Sequence, residues 1–328
     1  MFNVTQFELR NKKSLTLHVY CIGKVRIPDY FFSETFIDFK VKKTSRRRVG
    51  ISSLIVLRRQ ITDDKGLVFC ERNVMLKLLL RLRFYEIPFF VEQELDLSHG
   101  KKGVIHGYHK NLNSTELRKV RKFGYTYKTI NDLGNLKEIY KNMYVPMMKK
   151  RHNSKAEKYQ EFKKYFKYGY LLIYHGKTAV GFASLLKENS KLVVRRFGIL
   201  NASKKLYSQG VMAALHSFLI DYALSSRFDL LSFGYSIPFL NSGVLIYKNK
   251  WGAKLSHNDQ IPTYYLGIDK ISSQMKRIFQ GKPIIFIRNK KLGALVSEEK
   301  GRKIDIDRLN KKVDISFFKG IDFISRIS

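Results

Sequence analysis

Hydrophobic positions between residues 170 and 268 alternate between a short and a long period. Tyr170 to Tyr174 is a continuous apolar run, His175-Gly176-Lys177 is a tight turn, and Thr178 to Leu186 is a second run; together they predict a β-hairpin. Glu188-Asn189-Ser190 turns the chain again, and Lys191 to Leu200 supplies a third strand. Asn201 to Gln209 reads as a loop. From Gly210 to Ser225 the period lengthens, and Val211, Leu215, Phe218, Leu219 and Tyr222 form one stripe of a long amphipathic helix. Phe228 to Phe233 predicts a strand, Asn241 to Lys250 a helix, and the stretches near Ala253 and from Pro262 to Ile268 two more strands. The predicted class is mixed α/β: an antiparallel meander followed by crossovers, not the regular alternation of a Rossmann or barrel domain.

Upstream the pattern is less regular. Ser14 to Val25, Val49 to Arg58 and Leu67 to Cys70 carry β-branched and aromatic residues at strand density. Asn73 can cap a short helix through Phe84, and Ile87 to Leu97 returns to strand. Asn113, Ser114 or Thr115 caps a helix that stops at Gly124, Asp132 opens another that runs to about Lys150, and Ala156 to Tyr168 repeats the helical spacing up to Gly169. Pro283 to Phe286 is a further strand candidate ahead of a basic tail.

Charge changes the picture. Among 328 residues, 62 are Lys or Arg and 27 are Asp or Glu, for a formal net charge of +35. Such a chain attracts polyanions, whether phosphate-bearing ligands, nucleic acid or an acidic membrane face. The basic residues are concentrated: 18 Lys/Arg against 5 Asp/Glu from Lys101 to Tyr168, and six more in Lys40 to Arg48. With Tyr125, Tyr127, Tyr159, Phe162 and Tyr165 interleaved, the first segment can track a phosphate backbone and stack bases, or it can simply present the lysine faces of ordinary helices whose aromatics point inward. Two cysteines, Cys21 and Cys70, make no disulfide framework, and no Cys/His zinc spacing accompanies His99, His106 and His109, so no metal is expected. The first residues reach charge before an apolar segment forms, and no window has the ~18 apolar residues needed to span a bilayer. The expected setting is the cytoplasm.

Three pieces of the sequence carry a resemblance. The first is VEQELDLSHG followed by HKNLNSTELRKVRKFGYTYKTINDLGNLKEIYKNMY, the second YLLIYHGKTAVGFASLL, and the third FDLLSFGYSIPFLNSGVLIYKNKWGAKL, which ends in a Lys-x-x-Trp-Gly signature. In their order and spacing, over residues 91–270, they resemble the GNAT acyltransferase fold in its Fem-like, peptidyl-transferase-type branch. The resemblance implies tandem halves: a diverged first GNAT-like half with basic helices over 1–155, a transferase domain over 156–270, and a C-terminal strand and basic tail over 271–328. It also implies transfer of an acyl group from acyl-CoA to an amine of an amino sugar, peptide or cell-envelope precursor. The alternatives are transfer of an amino acid from aminoacyl-tRNA, or a non-catalytic GNAT-like module that binds RNA or anionic membrane. Acyl-CoA enzymes of this fold usually carry Arg/Gln-x-x-Gly-x-Gly/Ala before the helix; the equivalent stretch here, KKLYSQGVMAAL, has Gly210 alone.

Two groups of residues are candidates for the chemistry. A helix N-terminus presents unpaired N–H groups and partial positive charge, so Lys204, Lys205, Ser208, Gln209, Gly210 and Val211 are expected to hold the donor's phosphates. The same residues also serve as plain architecture, with Ser208 as a cap and Gly210 as a turn. The second group is Phe233, Gly234, Asn241 and Lys248 as acceptor-side contacts with Tyr235 as the catalytic residue, because aminolysis needs a proton donor for the leaving group and stabilisation of an oxyanion. No general base stands out: Glu188 sits in a turn, Asp229 is a single carboxylate at a strand start, and His216 falls off the apolar stripe of its helix. Trp251 reads as core.

Overall fold

A computed structural model of the chain describes residues 1–11, 16–24, 39–151, 154–269, 272, 276, 279, 282–297 and 318–327. The first elements are β1 (Phe2–Asn11), β2 (Thr16–Ile22), β3 (Phe39–Val49), α1 (Ser53–Asp63), β4 (Leu67–Cys70), α2 (Val74–Leu80) and β5 (Arg83–Pro88). They precede β6 (Val91–Asp96), α3 (Gly100–His106), α4 (Arg118–Phe123), β7 (Thr126–Ile130), α5 (Leu136–Ile139), α6 (Val145–Arg151) and α7 (Tyr159–Lys163). Next come β8 (Tyr170–His175), β9 (Thr178–Ser184), β10 (Leu186–Glu188), β11 (Lys191–Val193), β12 (Phe197–Ile199), α8 (Lys204–Gln209) and α9 (Val211–Ser225). The order closes with β13 (Leu230–Ser236), α10 (Gly243–Lys250), β14 (Lys254–Ser256), β15 (Thr263–Ile268), β16 (Ile284–Arg288), β17 (Lys291–Ser297) and β18 (Phe323–Ile327). No described helix is long and apolar enough to cross a membrane.

The chain divides into two compact units, one of residues 1–91, 236–246 and 255–328, the other of residues 92–235 and 247–254. These boundaries run elsewhere than the 155/156 and 270/271 divisions expected from the sequence. The first unit is discontinuous because its nine-stranded sheet, ordered β18-β17-β16-β5-β15-β4-β2-β1-β3, draws strands from both ends of the chain. Alternation along β2 sends Leu17, Val19 and Cys21 to one buried face and Tyr20 and Ile22 to the other. On the second face lie α1 and α2, burying Leu54, Leu57, Ile61, Leu76 and Leu80. Asn73 caps α2 as expected, its side chain accepting from the Met75 and Leu76 amides. The strand expected over Val49–Arg58 is instead the end of β3 and most of α1. Leu54, Leu57 and Ile61 recur at helical spacing and are fully buried, whereas the β-branched Ile55 and Val56 that suggest a strand face outward.

The second unit holds the four-stranded sheet β12-β9-β8-β7 and, in a second sheet, the adjoining strands β10-β11-β13-β6. Both faces of the four-stranded sheet are covered. Leu171 and Ile173 meet α9 in the main core, while Tyr170, Leu172 and Phe182 meet an aromatic cluster built on Tyr144, Phe162 and Phe166. Burial on two faces explains why β8 reads as an unbroken apolar run rather than an alternating one. Helix α9 rests so closely on β9 that a Cβ on Gly181 would stand 2.9 Å from Val211 Cγ1. The expected hairpins, the long helix and the returning strand are present. The order of meander, helix and parallel return is the one the resemblance implies.

The third strand of the meander is broken. β11 pairs in parallel with β13, Lys191 opposite Leu230 and Val193 opposite Ser232, and the Val194 amide still donates to the Ser232 carbonyl at 3.0 Å. The chain then leaves that sheet and re-enters the other as β12, where Phe197 pairs with Ala183. At this fork Gly234 has φ +72°, and a Cβ there would lie 2.4 Å from the Val194 carbonyl oxygen. Only glycine satisfies both constraints. Gly234→Ala is therefore expected to lower stability by about 3 kcal/mol or more, combining a left-handed conformation with a backbone clash. The matched control is Gly176→Ala, also at positive φ but with nothing within 4 Å of its Cβ position, which should cost only ~1 kcal/mol. Equal denaturation midpoints for the two variants would contradict the fork geometry.

Candidate active site at the strand fork

Two consecutive arginines hold the fork open from either side. The backbone N–H groups of Arg195 and Arg196 both donate to Ser184 Oγ, at 3.2 and 2.9 Å, so the break between β11 and β12 has its amide hydrogens satisfied by β9. Arg196 turns toward the helical side, where Nε and Nη2 clasp the Glu157 carboxylate at 2.6 and 2.8 Å and the guanidinium stacks 3.9 Å over Tyr165. Arg195 turns the other way, 3.3 Å from Glu92 Oε1, with its guanidinium 4.1 Å over the Tyr235 ring.

Glu92 is the centre of the Arg195 side. It is fully buried, accepts the Ser232 hydroxyl at 2.5 Å, and has Lys191 Nζ at 3.8 Å. Lys191 also binds Glu94 at 2.8 Å and approaches Glu188 at 3.8 Å. Burial pulls the Lys191 ammonium down, but the hydrogen bond to Glu94 and the charges of Glu92 and Glu188 lift it above its usual range. With Arg195, Lys191 and Ser232 around it, the buried Glu92 carboxyl has its hydrogen-bonding groups matched, and removing a partner would leave a buried polar group unsatisfied.

Lys248 lies beneath the same strand. Its side chain is 2 % exposed, and Nζ donates to the carbonyls of Gly234 at 2.9 Å and Tyr235 at 3.0 Å. Burial lowers its pKa to about 7, with Arg195 pushing the same way and Glu92 opposing. The shift raises the neutral fraction of Lys248 near pH 7 far above that of an exposed lysine, and a neutral amine that donates two N–H bonds still has a lone pair able to receive a proton. His216 is buried against Phe233, Tyr247 and Trp251, with ring centroids 4.8, 5.1 and 5.5 Å away. Desolvation takes its pKa to about 4, so it is neutral packing with Nδ1 at 2.9 Å from the Met212 carbonyl.

The structure brings Gly234, Tyr235 and Lys248 together. Tyr235 is 39 % exposed, and its phenol is held above its usual pKa, chiefly by burial of its inner edge, so it remains a proton donor. Phe233 is buried in the core against His216, and Asn241 belongs to the other compact unit. The donor-side group is arranged differently from the loop expected. Residues Lys204–Gln209 form α8, capped by Ser203, while Ser208 Oγ turns back to the Lys205 carbonyl at 2.7 Å and caps nothing. Lys204, Lys205 and Ser208 are exposed, the Gln209 carbonyl accepts from Tyr125 Oη at 3.4 Å, and Val211 is fully buried. Gly210, at φ +94°, joins α8 to α9 with Lys119 packed against it, so that a Cβ there would lie 2.7 Å from Lys119 Cβ. Lys150, which bonds the Asn201 carbonyl, and Arg151, stacked on Tyr207, add cations beside α8. Five residues of α9, about 7.5 Å along its axis, separate this basic end from His216 beneath the fork. Among the described residues no cluster of His, Cys, Asp or Glu can hold a metal ion.

Sequence reasoning missed Glu92, Ser184, Arg195, Arg196 and Ser232. The visible signal was the Arg-Arg pair interrupting the apolar run KLVVRRFGIL, since adjacent charged residues inside a buried strand must leave to opposite faces and find partners.

No protein-family model matches the sequence, and no curated protein matches it. The structure is similar to FemX (12% identity, 80% of this chain and 84% of that one, TM-score 0.41). It is also similar to L-PGS from Bacillus licheniformis (14% identity, 83% and 87%, TM-score 0.38). A third likeness is to a GCN5-related N-acetyltransferase from Anabaena variabilis (10% identity, 92% and 72%, TM-score 0.34). The fold of the chain is mixed α/β.

The depressed Lys248 pKa has a measurable consequence. Between pH 7 and about 10 the unfolded lysine is protonated and the folded one largely neutral, so the unfolded chain binds more protons and stability rises with pH. The gain is at most about 1.4 kcal/mol per pH unit. Urea denaturation from pH 7 to about 9.5 should show the wild type gaining stability relative to Lys248→Met. A difference that stays constant across this window would show that Lys248 is charged in the fold.

Proposed function

We propose that the chain is a cytoplasmic N-acyltransferase that moves an acyl group from acyl-CoA to an amine of an amino sugar, peptide or cell-envelope precursor. The observation that supports this most is the fork itself. Two parallel strands part beyond Val194 and Ser232, and the end of the inner strand carries a half-exposed phenol with a buried amine beneath it. A gap between parted strands admits an extended thioester, whose carbonyl then lies alongside backbone groups and Tyr235. The neutral amine of the acceptor attacks the carbonyl carbon; a C–N bond forms, the C–S bond breaks, the thiolate takes a proton from Tyr235, and the proton lost by the amine nitrogen returns through water to the Tyr235 phenolate. Lys248 is a positioning residue in this scheme, since it fixes the Gly234 and Tyr235 carbonyls and so the direction of the phenol. Lys119, Lys150, Arg151, Lys204 and Lys205 supply the positive field around α8 that a polyphosphate donor requires.

A second reading, transfer from aminoacyl-tRNA, draws on the density of cations from Lys101 to Tyr168, which exceeds what one pyrophosphate needs. The chemistry at Tyr235 is the same, with an ester oxygen in place of sulfur.

The test is release of free thiol from acetyl-CoA in the presence of a panel of amines. Tyr235→Phe should lower kcat/KM by about 100-fold while leaving the melting temperature unchanged. Salt-sensitive stabilisation by aminoacyl-tRNA, with transfer only from that donor, would favour the second reading. Binding of either donor without transfer across the panel, or full activity in Tyr235→Phe, would overturn the assignment.

A further inference from the structure

The outer face of the α1–α2 layer combines aliphatic and cationic side chains in a way that the transfer reading does not use. Each helix already buries an apolar face on the sheet, yet Ile55 and Val56 on α1 and Val74 and Leu78 on α2 are 56 to 69 % exposed, with Ile51 and Met75 alongside. A short helix with apolar side chains on its outer face as well as its buried one has a second surface to cover. Cations surround this one. Arg59 is exposed one turn after Ile55 and Val56, Lys77 is exposed beside Leu78 with its Nζ 5.7 Å over the Tyr265 ring, Arg81 follows the end of α2, and on the edge strand β3 alternation turns Arg47 to this face, with Arg46 and Arg48 on the other. Arg47 Nη2 bonds Gln60 Oε1 at 2.6 Å, which places that edge against α1. The acidic groups nearby do not balance them: Asp64 is turned onto Tyr20 and His18, Glu71 accepts from the Lys24 amide, and Asp63 stands at the C-terminal end of α1.

We propose that this face docks on an anionic lipid bilayer, with the aliphatic side chains entering the headgroup boundary and the arginines and lysines meeting lipid phosphates. Exposed aliphatic groups mixed with cations suit a bilayer boundary, where the aliphatics enter the acyl region and the cations meet phosphates; a protein partner's contact is poorer in lysine. An RNA site would draw on cations and stacking rings and gains nothing from exposed valine and leucine. The inference is independent of the acyl-transfer reading, since no residue of the fork takes part.

The full chain is tested against vesicles of phosphatidylcholine alone and of phosphatidylcholine mixed with phosphatidylglycerol, with binding read by co-sedimentation. Binding is expected only with phosphatidylglycerol present, and the triple variant Ile55→Gln, Val56→Gln, Leu78→Gln should bind about tenfold more weakly or worse at an unchanged melting temperature. Trp251, the sole tryptophan, is fully buried, so a Val74→Trp variant adds a separable fluorophore whose emission should move to the blue on the mixed vesicles. Three results would overturn the proposal. The triple variant binds like wild type, which assigns binding to charge elsewhere on the chain. The Val74→Trp emission does not move on bound vesicles. The triple variant loses its cooperative melt, which makes the face internal packing.

Discussion

The close approach of Gly234 to the Val194 carbonyl is the constraint on which the candidate site depends. At that point the two parallel strands lie so close that no Cβ fits between them, and one step later they belong to different sheets. The fork requires a residue without a Cβ and with positive φ, and Lys248 is anchored to the carbonyls of that residue and the next. Removing the glycine would therefore disturb the strand pairing, the lysine's anchor and the direction of Tyr235 together.

Electrostatics holds the fork in place. Arg195 and Arg196 leave the same short segment in opposite directions, each to a carboxylate and an aromatic ring, while the backbone they vacate is satisfied by Ser184. Consecutive side chains on extended backbone point to opposite faces, so a pair of like charges is the natural way to tie a divided strand to both sides. The buried Glu92 makes the arrangement cooperative, because Arg195, Lys191 and Ser232 all satisfy it and it in turn offsets the burial of Lys248.

Much of this was legible in the sequence. The β8–β9 hairpin, α9, the return strand and α10 announce themselves through turn glycines and changes of period, and Asn73 and Gly124 mark helix ends where expected. Failures came where one signal had two sources. The aliphatic residues of α1 lie on both of its faces and so imitate a strand, and α8 is too short and polar to show a stripe, so it read as a loop. Lys248 was visible as a charged residue ahead of Trp251, but its burial depends on a strand fourteen residues earlier and on Glu92, far away in sequence. Glu92 and Ser232 lie about 140 residues apart, a pairing that no local period encodes.

The most direct test of the central claim is amide hydrogen exchange of the full chain with and without an uncleavable thioether analogue of acetyl-CoA. If the parted strands receive the acyl group, amides of residues 194–199 and 230–236 become slower to exchange on addition of the analogue. Unchanged exchange in both segments with the analogue bound would place the donor elsewhere and remove the fork from the reaction.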